Sequence, residues 1–234
     1  MDYQYSYLIG DLVFLVIWFV LFILRKDLRK KMLLISIFFG VIGLIFEVTH
    51  ALDWWTPHLI TNTPIGIEDF LFGFAIGGIA TGIYGGLFKK RVVVEKKDKK
   101  KIKKENLHFL IMWVFIILFY FICFFVFNLH SFYAAIITMG IFTVYILIKR
   151  KDLILNSLIS GLILVVISFF AFWICEFITP GWVNHVWMLK NLSGVIILKV
   201  PLEDLIWFFF AGVFIAPLYE YWQETKIAEI KKKK

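Results

Sequence analysis

The chain is poor in several residue types that most chemistry relies on. It has two cysteines, Cys123 and Cys175, each inside an apolar run. That excludes a disulfide framework and a paired-cysteine metal site, and leaves them as packing residues. The five histidines, His50, His58, His108, His130 and His185, form no His-x-x-His-His or His-x-x-x-His cluster. A membrane di-iron oxygenase is therefore excluded, and no metal ligand set is called. No Gly-x-Gly-x-x-Gly follows a strand, so no flavin or nicotinamide fold is encoded, and no cofactor is called for. No Asp-x-x-x-Asp pair is present to hold magnesium pyrophosphate. The last apolar run has no interior lysine for a retinal Schiff base, since Lys199 lies at its edge.

What is present is hydrophobic. Of 234 residues, 61% are hydrophobic and 19% aromatic. The mean hydropathy is +0.86, which a soluble domain of this length does not reach. A spanning helix needs about 20 mostly apolar residues. Seven stretches qualify, at about 5–24, 32–52, 64–88, 107–127, 131–148, 153–178 and 199–222. Met1-Asp2-Tyr3-Gln4 has no basic n-region, so the first run is expected to be a retained span. The net charge of +8 would suit nucleic acid. The lysines, however, lie in blocks between apolar segments, as the positive-inside rule requires, and nucleic acid is set aside. Seven spans bring the basic loops after spans one, three and five, and the basic tail, to one side. The expected fold is an all-α integral membrane bundle of seven transmembrane helices, N-terminus outside and C-terminus cytoplasmic. The Lys- and Ile-rich composition suits a prokaryotic cytoplasmic membrane.

An internal repeat organises the spans. When Glu68 is aligned with Glu203, Asp69 falls on Asp204, Gly77 on Gly212 and Tyr84 on Tyr219. Lys26-Asp27-Leu28 and Lys151-Asp152-Leu153 close the first span of each half. The predicted organisation is a three-helix repeat at 1–88, a flexible or surface-lying basic linker at 89–106, a linking helix at 107–127, a second three-helix repeat at 131–224, and a basic tail at 225–234. The odd fourth span gives both triplets the same orientation. A parallel repeat has its pseudo-two-fold axis along the membrane normal, with a shared cavity between the halves.

Ionisable groups in a span are costly and become functional candidates. Four glutamates lie near the outer end: Glu47, Glu68, Glu176 and Glu203, with Asp69 and Asp204 beside two of them. Adjacent helix residues point about 100° apart, so only one member of each pair faces the bundle. A helix N-terminus favours the carboxylate, and these acids also suit plain helix caps. A dry apolar site favours the neutral acid. A close Glu47/Glu68 or Glu176/Glu203 pair would hold a proton for donor chemistry or for a relay. Trp54, Trp55, Trp173, Trp182, Trp187 and Trp207 lie at the same depth. Aromatic faces stabilise cations, so a proton donor among them suits carbocation reactions.

Pro201-Leu202-Glu203-Asp204, opening an aromatic-rich last span, resembles the Pro-x-Glu-Glu/Asp motif of the heterodimer-type and fused lycopene cyclases of carotenoid synthesis. The resemblance covers both triplets and the Lys-Asp after the first span of each. It implies an isomerase, or intramolecular lyase, that closes ionone-type end rings on a linear carotenoid or polyprenoid without net redox change. Glu203 and Asp204 inherit the main motif, and Glu68 and Asp69 its first-half counterpart. The expected donor is Glu203 helped by Glu176, with Glu68 and Glu47 as the acids of the other half and the tryptophans shielding the cation. The first copy reads Pro64-Ile65-Gly66-Ile67-Glu68-Asp69, with Gly66 where the second has Pro201, which marks it as a degenerate half. Two other classes fit the same acids: a proton-coupled transporter, which needs a polar path across the membrane, and a non-catalytic carotenoid- or lipid-binding protein. Membrane lipid is a partner in every case.

Overall fold

Seven helices long and apolar enough to cross a membrane carry the fold. The computed structural model describes residues 3–93 and 98–229; linker residues 94–97 and the lysines that end the basic tail lie outside the described residues. Helices α1 (Ser6–Leu24), α2 (Arg29–Asp53) and α3 (Ile67–Leu87) come first. A strand β1 (Lys90–Val93) leads to α4 (Lys99–Phe121), which ends in a π-helical turn at Ile122–Val126. Then follow α5 (Ser131–Lys149), a 3₁₀ turn at Lys151–Leu153, and α6 (Ile154–Ile178). The outer loop after α6 holds the short α7 (Trp182–Val186), a 3₁₀ turn at Leu189–Asn191, and the strands β2 (Ile196–Ile197) and β3 (Val200–Pro201). Last come α8 (Leu202–Ile215), α9 (Leu218–Trp222) and β4 (Lys226–Glu229).

Two of these helices are buried along most of their length, α3 and α8, and the rest pack around them. Helix α3 lies against α1 and α2, and α8 against α5 and α6. Helices α3 and α8 also touch each other, while α1 meets α6 and α2 meets α5. Small residues make this closeness possible, as they do between membrane helices generally. A Cβ on Gly212 of α8 would lie 2.6 Å from the Cα of Gly161 on α6, and one on Gly73 of α3 would strike the Phe39 carbonyl of α2. The faces turned away from these contacts carry exposed Leu, Ile, Val and Phe, as lipid-facing surfaces should.

The helix ends next to the basic loops are tied by two arginines. Arg25 pairs with Asp27 at 2.8 Å and donates to the carbonyls of Gly85, Gly86 and Lys90. Arg150 pairs with Asp152 at 2.7 Å and donates to the carbonyls of Glu220 and Thr225. Each clamp satisfies carbonyls left over where a helix ends. Between them, Lys31 of α2 and Glu220 of α9 form a buried ion pair at 2.7 Å.

Three local features differ from the sequence reading. The fourth helix begins at Lys99, within the stretch expected to be linker. The Asp98 side chain caps it by accepting from the Lys101 N–H at 2.6 Å, and lysine is a good helix former. The start of the stretch expected to be linker is also tied down, because β1 pairs antiparallel with β4. The last span breaks between α8 and α9 at Ala216-Pro217, where proline cannot donate the helical hydrogen bond.

Candidate active site

The acidic pairs sit on the first turns of α3 and α8, and the two members of each pair part company there. Glu68 reaches back, and its Oε1 accepts from the Ile60 N–H at 2.7 Å. Glu203 does the same, accepting from the Ser193 N–H at 2.7 Å. Both glutamates are buried and fasten the loop that precedes their helix. One residue on, Asp69 and Asp204 point the other way, into a common cavity. The 100° step between adjacent helical residues produces this division.

The partners of the two aspartates differ for a covalent reason. Asp69 Oδ2 accepts from the Gly66 N–H at 2.8 Å, as a third-position acid does at a capped helix start. The matching residue in the second copy is Pro201, which has no N–H. Asp204 Oδ2 instead accepts from the Trp187 indole N–H at 2.8 Å.

The cavity encloses about 160 Å³. Its lining along α8 runs from Asp204 to Ile215, about 16 Å at the helical rise. The end at the starts of α3 and α8 carries titratable groups: Asp204, Asp69, Glu47, Asp11, His50 and Tyr7. Toward the bilayer middle the walls are Phe39, Trp113, Phe214 and Ile215. Glu47 places Oε2 3.7 Å from His50 Nδ1, and its Oε1 has no hydrogen-bond partner among the described residues. Asp11 is fully buried, and neither of its carboxylate oxygens has a hydrogen-bond partner among the described residues. Asp11, Asp69 and Glu47 all lie within electrostatic reach of the Tyr7 hydroxyl. An unpartnered carboxyl group in an apolar wall is strongly disfavoured as an anion, so this end of the cavity is suited to holding protons.

Tryptophans close the outer mouth. Trp182 and Trp187 meet edge to face at 4.8 Å, Trp55 leans on Trp187 at 5.2 Å, and Phe172 packs against both Trp182 and Trp187. The loop after α2 and the loop after α6 are stitched together here by Thr56 N–H to the Val186 carbonyl and Met188 N–H to the Trp54 carbonyl, both at 2.9 Å.

Of the acids predicted from sequence, Asp69, Asp204 and Glu47 come together at the cavity. Glu68 and Glu203 turn to their loops. Glu176 lies outside the cavity lining and accepts from the N–H groups of Gly181 and Val183, at 3.1 and 2.8 Å, holding the start of α7. Of the tryptophans, Trp54, Trp55, Trp182, Trp187 and Trp207 line the cavity. Trp173 is exposed and donates to the Leu198 carbonyl at 2.7 Å. Asp11, Tyr7, His50 and Tyr120 were not expected at the acids. Asp11 and His50 had a legible signal, each an ionisable group within an apolar run; the two tyrosines had none.

The chain matches the lycopene cyclase family over residues 4–87 and 130–222, well over half its length. No curated protein and no solved structure matches it. The matched segments contain α1 to α3 and α5 to α9, and so both acidic pairs and most of the cavity wall. The chain is a multi-pass membrane protein of the lycopene cyclase family, a carotenoid enzyme.

Proposed function

We propose that the protein closes ionone-type rings on the ends of a linear carotenoid by acid-initiated, redox-neutral cyclisation. The observation that carries this is one apolar, aromatic-walled cavity with Asp204, Asp69, Glu47 and Asp11 gathered at a single end. The donor is Asp204, the neighbour of the Glu203 that the motif first suggests. Its proton passes to the terminal double bond, and the tertiary cation that results is attacked by the next double bond along the chain. A six-membered ring closes, and a carbon next to the new cationic centre loses a proton to a carboxylate. One proton enters, one leaves, and no electrons are exchanged. The Trp187 N–H orients the Asp204 carboxyl group and is in place to donate to the carboxylate that it leaves behind. Asp69, with Asp11 and Glu47 nearby, receives the proton. Phe72, Phe208 and Trp207 present faces and edges to the cation; Phe72 stacks on Trp207 at 5.7 Å.

The cavity lies at the centre of what we take to be two parallel three-helix repeats, α1–α3 and α5, α6 and α8. The pairing of α1 with α6 and α2 with α5, and the matched arginine clamps, support that reading. The basic loops support a cytoplasmic C-terminus, with the acids near the outer face. Glu68, Glu203 and Glu176 hold the loops that shape the mouth. The substrate arrives sideways from lipid, and a cavity of this size takes one end group at a time.

The test is expression in bacteria that accumulate lycopene, with product analysis of the extracted pigment. Ringed carotenoid is expected. Linear pigment alone, with the protein demonstrated in the membrane, overturns the proposal.

A further inference from the structure

The family match stops at residue 87 and resumes at residue 130, so α4 belongs to neither matched segment. Yet α4 forms part of the cavity. Trp113, Ile116 and Tyr120 fall on one helical face at i, i+3 and i+7. All three are buried and line the cavity. Trp113 meets Phe38 and Phe39 of α2 edge-on at 4.6 and 5.6 Å, and Phe214 of α8 at 5.8 Å. Tyr120, nearer the acids, meets Phe46 edge-on at 4.5 Å, and its hydroxyl lies 2.5 Å from that of Thr49. The opposite face of α4, with Leu110, Phe115 and Leu118, is exposed. Directly after Tyr120 the helix widens into the π turn at Ile122–Val126, a local irregularity that helices favour at functional positions.

We propose that α4 is a wall of the substrate cavity and helps to decide which end groups are accepted. Its three residues pack on α2 and α8 and also close the cavity along that side. The contact itself requires only that a polyene enters the cavity, while the effect on selectivity rests on the cyclase reading. In a cavity of about 160 Å³ an added methyl is felt. One methylene in a tight apolar pocket changes discrimination by about 10- to 200-fold.

Two measurements on the full-length protein in lycopene-accumulating cells test this. In the first, p-benzoylphenylalanine replaces Trp113 or, as the lipid-facing control, Phe115, and the membranes are illuminated. A polyene adduct is expected at position 113 and not at 115; equal labelling at both overturns the wall. This readout needs no turnover, so it holds even where ring formation fails and the cyclase reading falls. In the second, wild type, Trp113→Phe and Trp113→Ala compete for lycopene and for a linear polyene with one extra methyl on its end group. Discrimination against the bulkier end is expected to fall by about 10-fold or more in Trp113→Ala and to survive in Trp113→Phe. Unchanged discrimination in an active Trp113→Ala overturns the proposal while leaving the cyclase reading intact. Should Trp113→Ala fail to reach the membrane, the adduct at position 113 decides alone.

Discussion

At the head of α3, Asp69 is held by the N–H of Gly66; at the head of α8, Asp204 is held by the indole of Trp187, because Pro201 has no N–H to offer. The glutamate before each aspartate does the same work in both places, fastening a loop through one backbone N–H. So the two copies agree in the residue that shapes the site and differ in how the residue inside it is held. The rest of the cavity is more lopsided still. The first half supplies Tyr7, Asp11, Glu47 and His50. In the register that carries Arg25 onto Arg150, the second half has Phe132, Ile136, Phe172 and Cys175 in those positions. On the reading proposed above, the two halves share backbone and packing and divide the chemistry, with a donor held by an indole on one side and a cluster of carboxyl groups on the other.

That division is broken most directly at the aspartates. Asp204→Asn removes the transferable proton while keeping an acceptor for Trp187. Ring formation is expected to fall by about 10³-fold, within the usual range for loss of a general acid. Asp69→Asn should fall less, by about 10²-fold, because Asp11 and Glu47 remain beside it. Equal losses, or a larger loss at Asp69, measured as initial rates in isolated membranes, would reverse the assignment of donor and acceptor.

The inner ends offer a second contrast. The arginine clamps match, but Lys31 stands where the second half has Asn156, and only Lys31 makes an ion pair, with the buried Glu220. Breaking a buried pair from one side leaves an uncompensated charge. Lys31→Met should lower stability by about 3 kcal/mol, read as a loss of Tm in detergent. The double substitution Lys31→Met with Glu220→Met should recover most of it. Asn156→Leu gives up one hydrogen bond to the Ala216 carbonyl, at 3.3 Å, and should cost about 1 kcal/mol. If the two single changes cost the same, the inner ends are more alike than their side chains suggest.

Much of this could be read from the chain. Seven apolar runs, the lysine blocks and the repeated Glu-Asp pairs point to the bundle and to the two helix starts where the acids gather. Helical geometry also required that one acid of each pair turn away. It did not say which, because that depends on where the loops before α3 and α8 pass, and two backbone N–H groups, of Ile60 and Ser193, decide it. Glu176 was drawn into the site by its likeness to Glu47 at the end of a preceding span. In the fold it lies about one turn beyond the position matching Glu47, and so it meets the loop and not the cavity. Asp11 was overlooked because it has no counterpart in the second half, although an acid within an apolar run is a signal by itself. The contact of α4 with the cavity was not legible, because the run at 107–127 reads as a helix that only links the two triplets.

The loop-holding role predicts a smaller effect at Glu203 than at its neighbour. Glu203→Gln keeps an oxygen for the Ser193 N–H and should leave ring formation within about threefold of wild type, whereas Glu203→Ala leaves that N–H unpaired and should lower stability by about 1–3 kcal/mol. Thermal unfolding and activity measured on the same membranes separate the two outcomes. A Glu203→Gln protein that is stable and inactive would return the donor role to the glutamate.

The finest test of the comparison is Pro201→Ala. The backbone at Pro201 has φ of −58°, which alanine adopts without strain, so the helix start should survive. What changes is one N–H, at the sequence position that Gly66 holds before Asp69. Asp204 then has two donors to choose between, its own helix start and the Trp187 indole. Drawn toward the helix, it sits further from the cavity and its carboxylate is stabilised before any substrate arrives. Ring formation is expected to fall by about 10-fold, equivalent to about 1.4 kcal/mol, with Tm nearly unchanged. The reduction should appear in kcat and leave KM alone, since the cavity walls are untouched. An active Pro201→Ala would mean that the missing N–H is incidental, and that the two aspartates differ only in the company the rest of the cavity gives them.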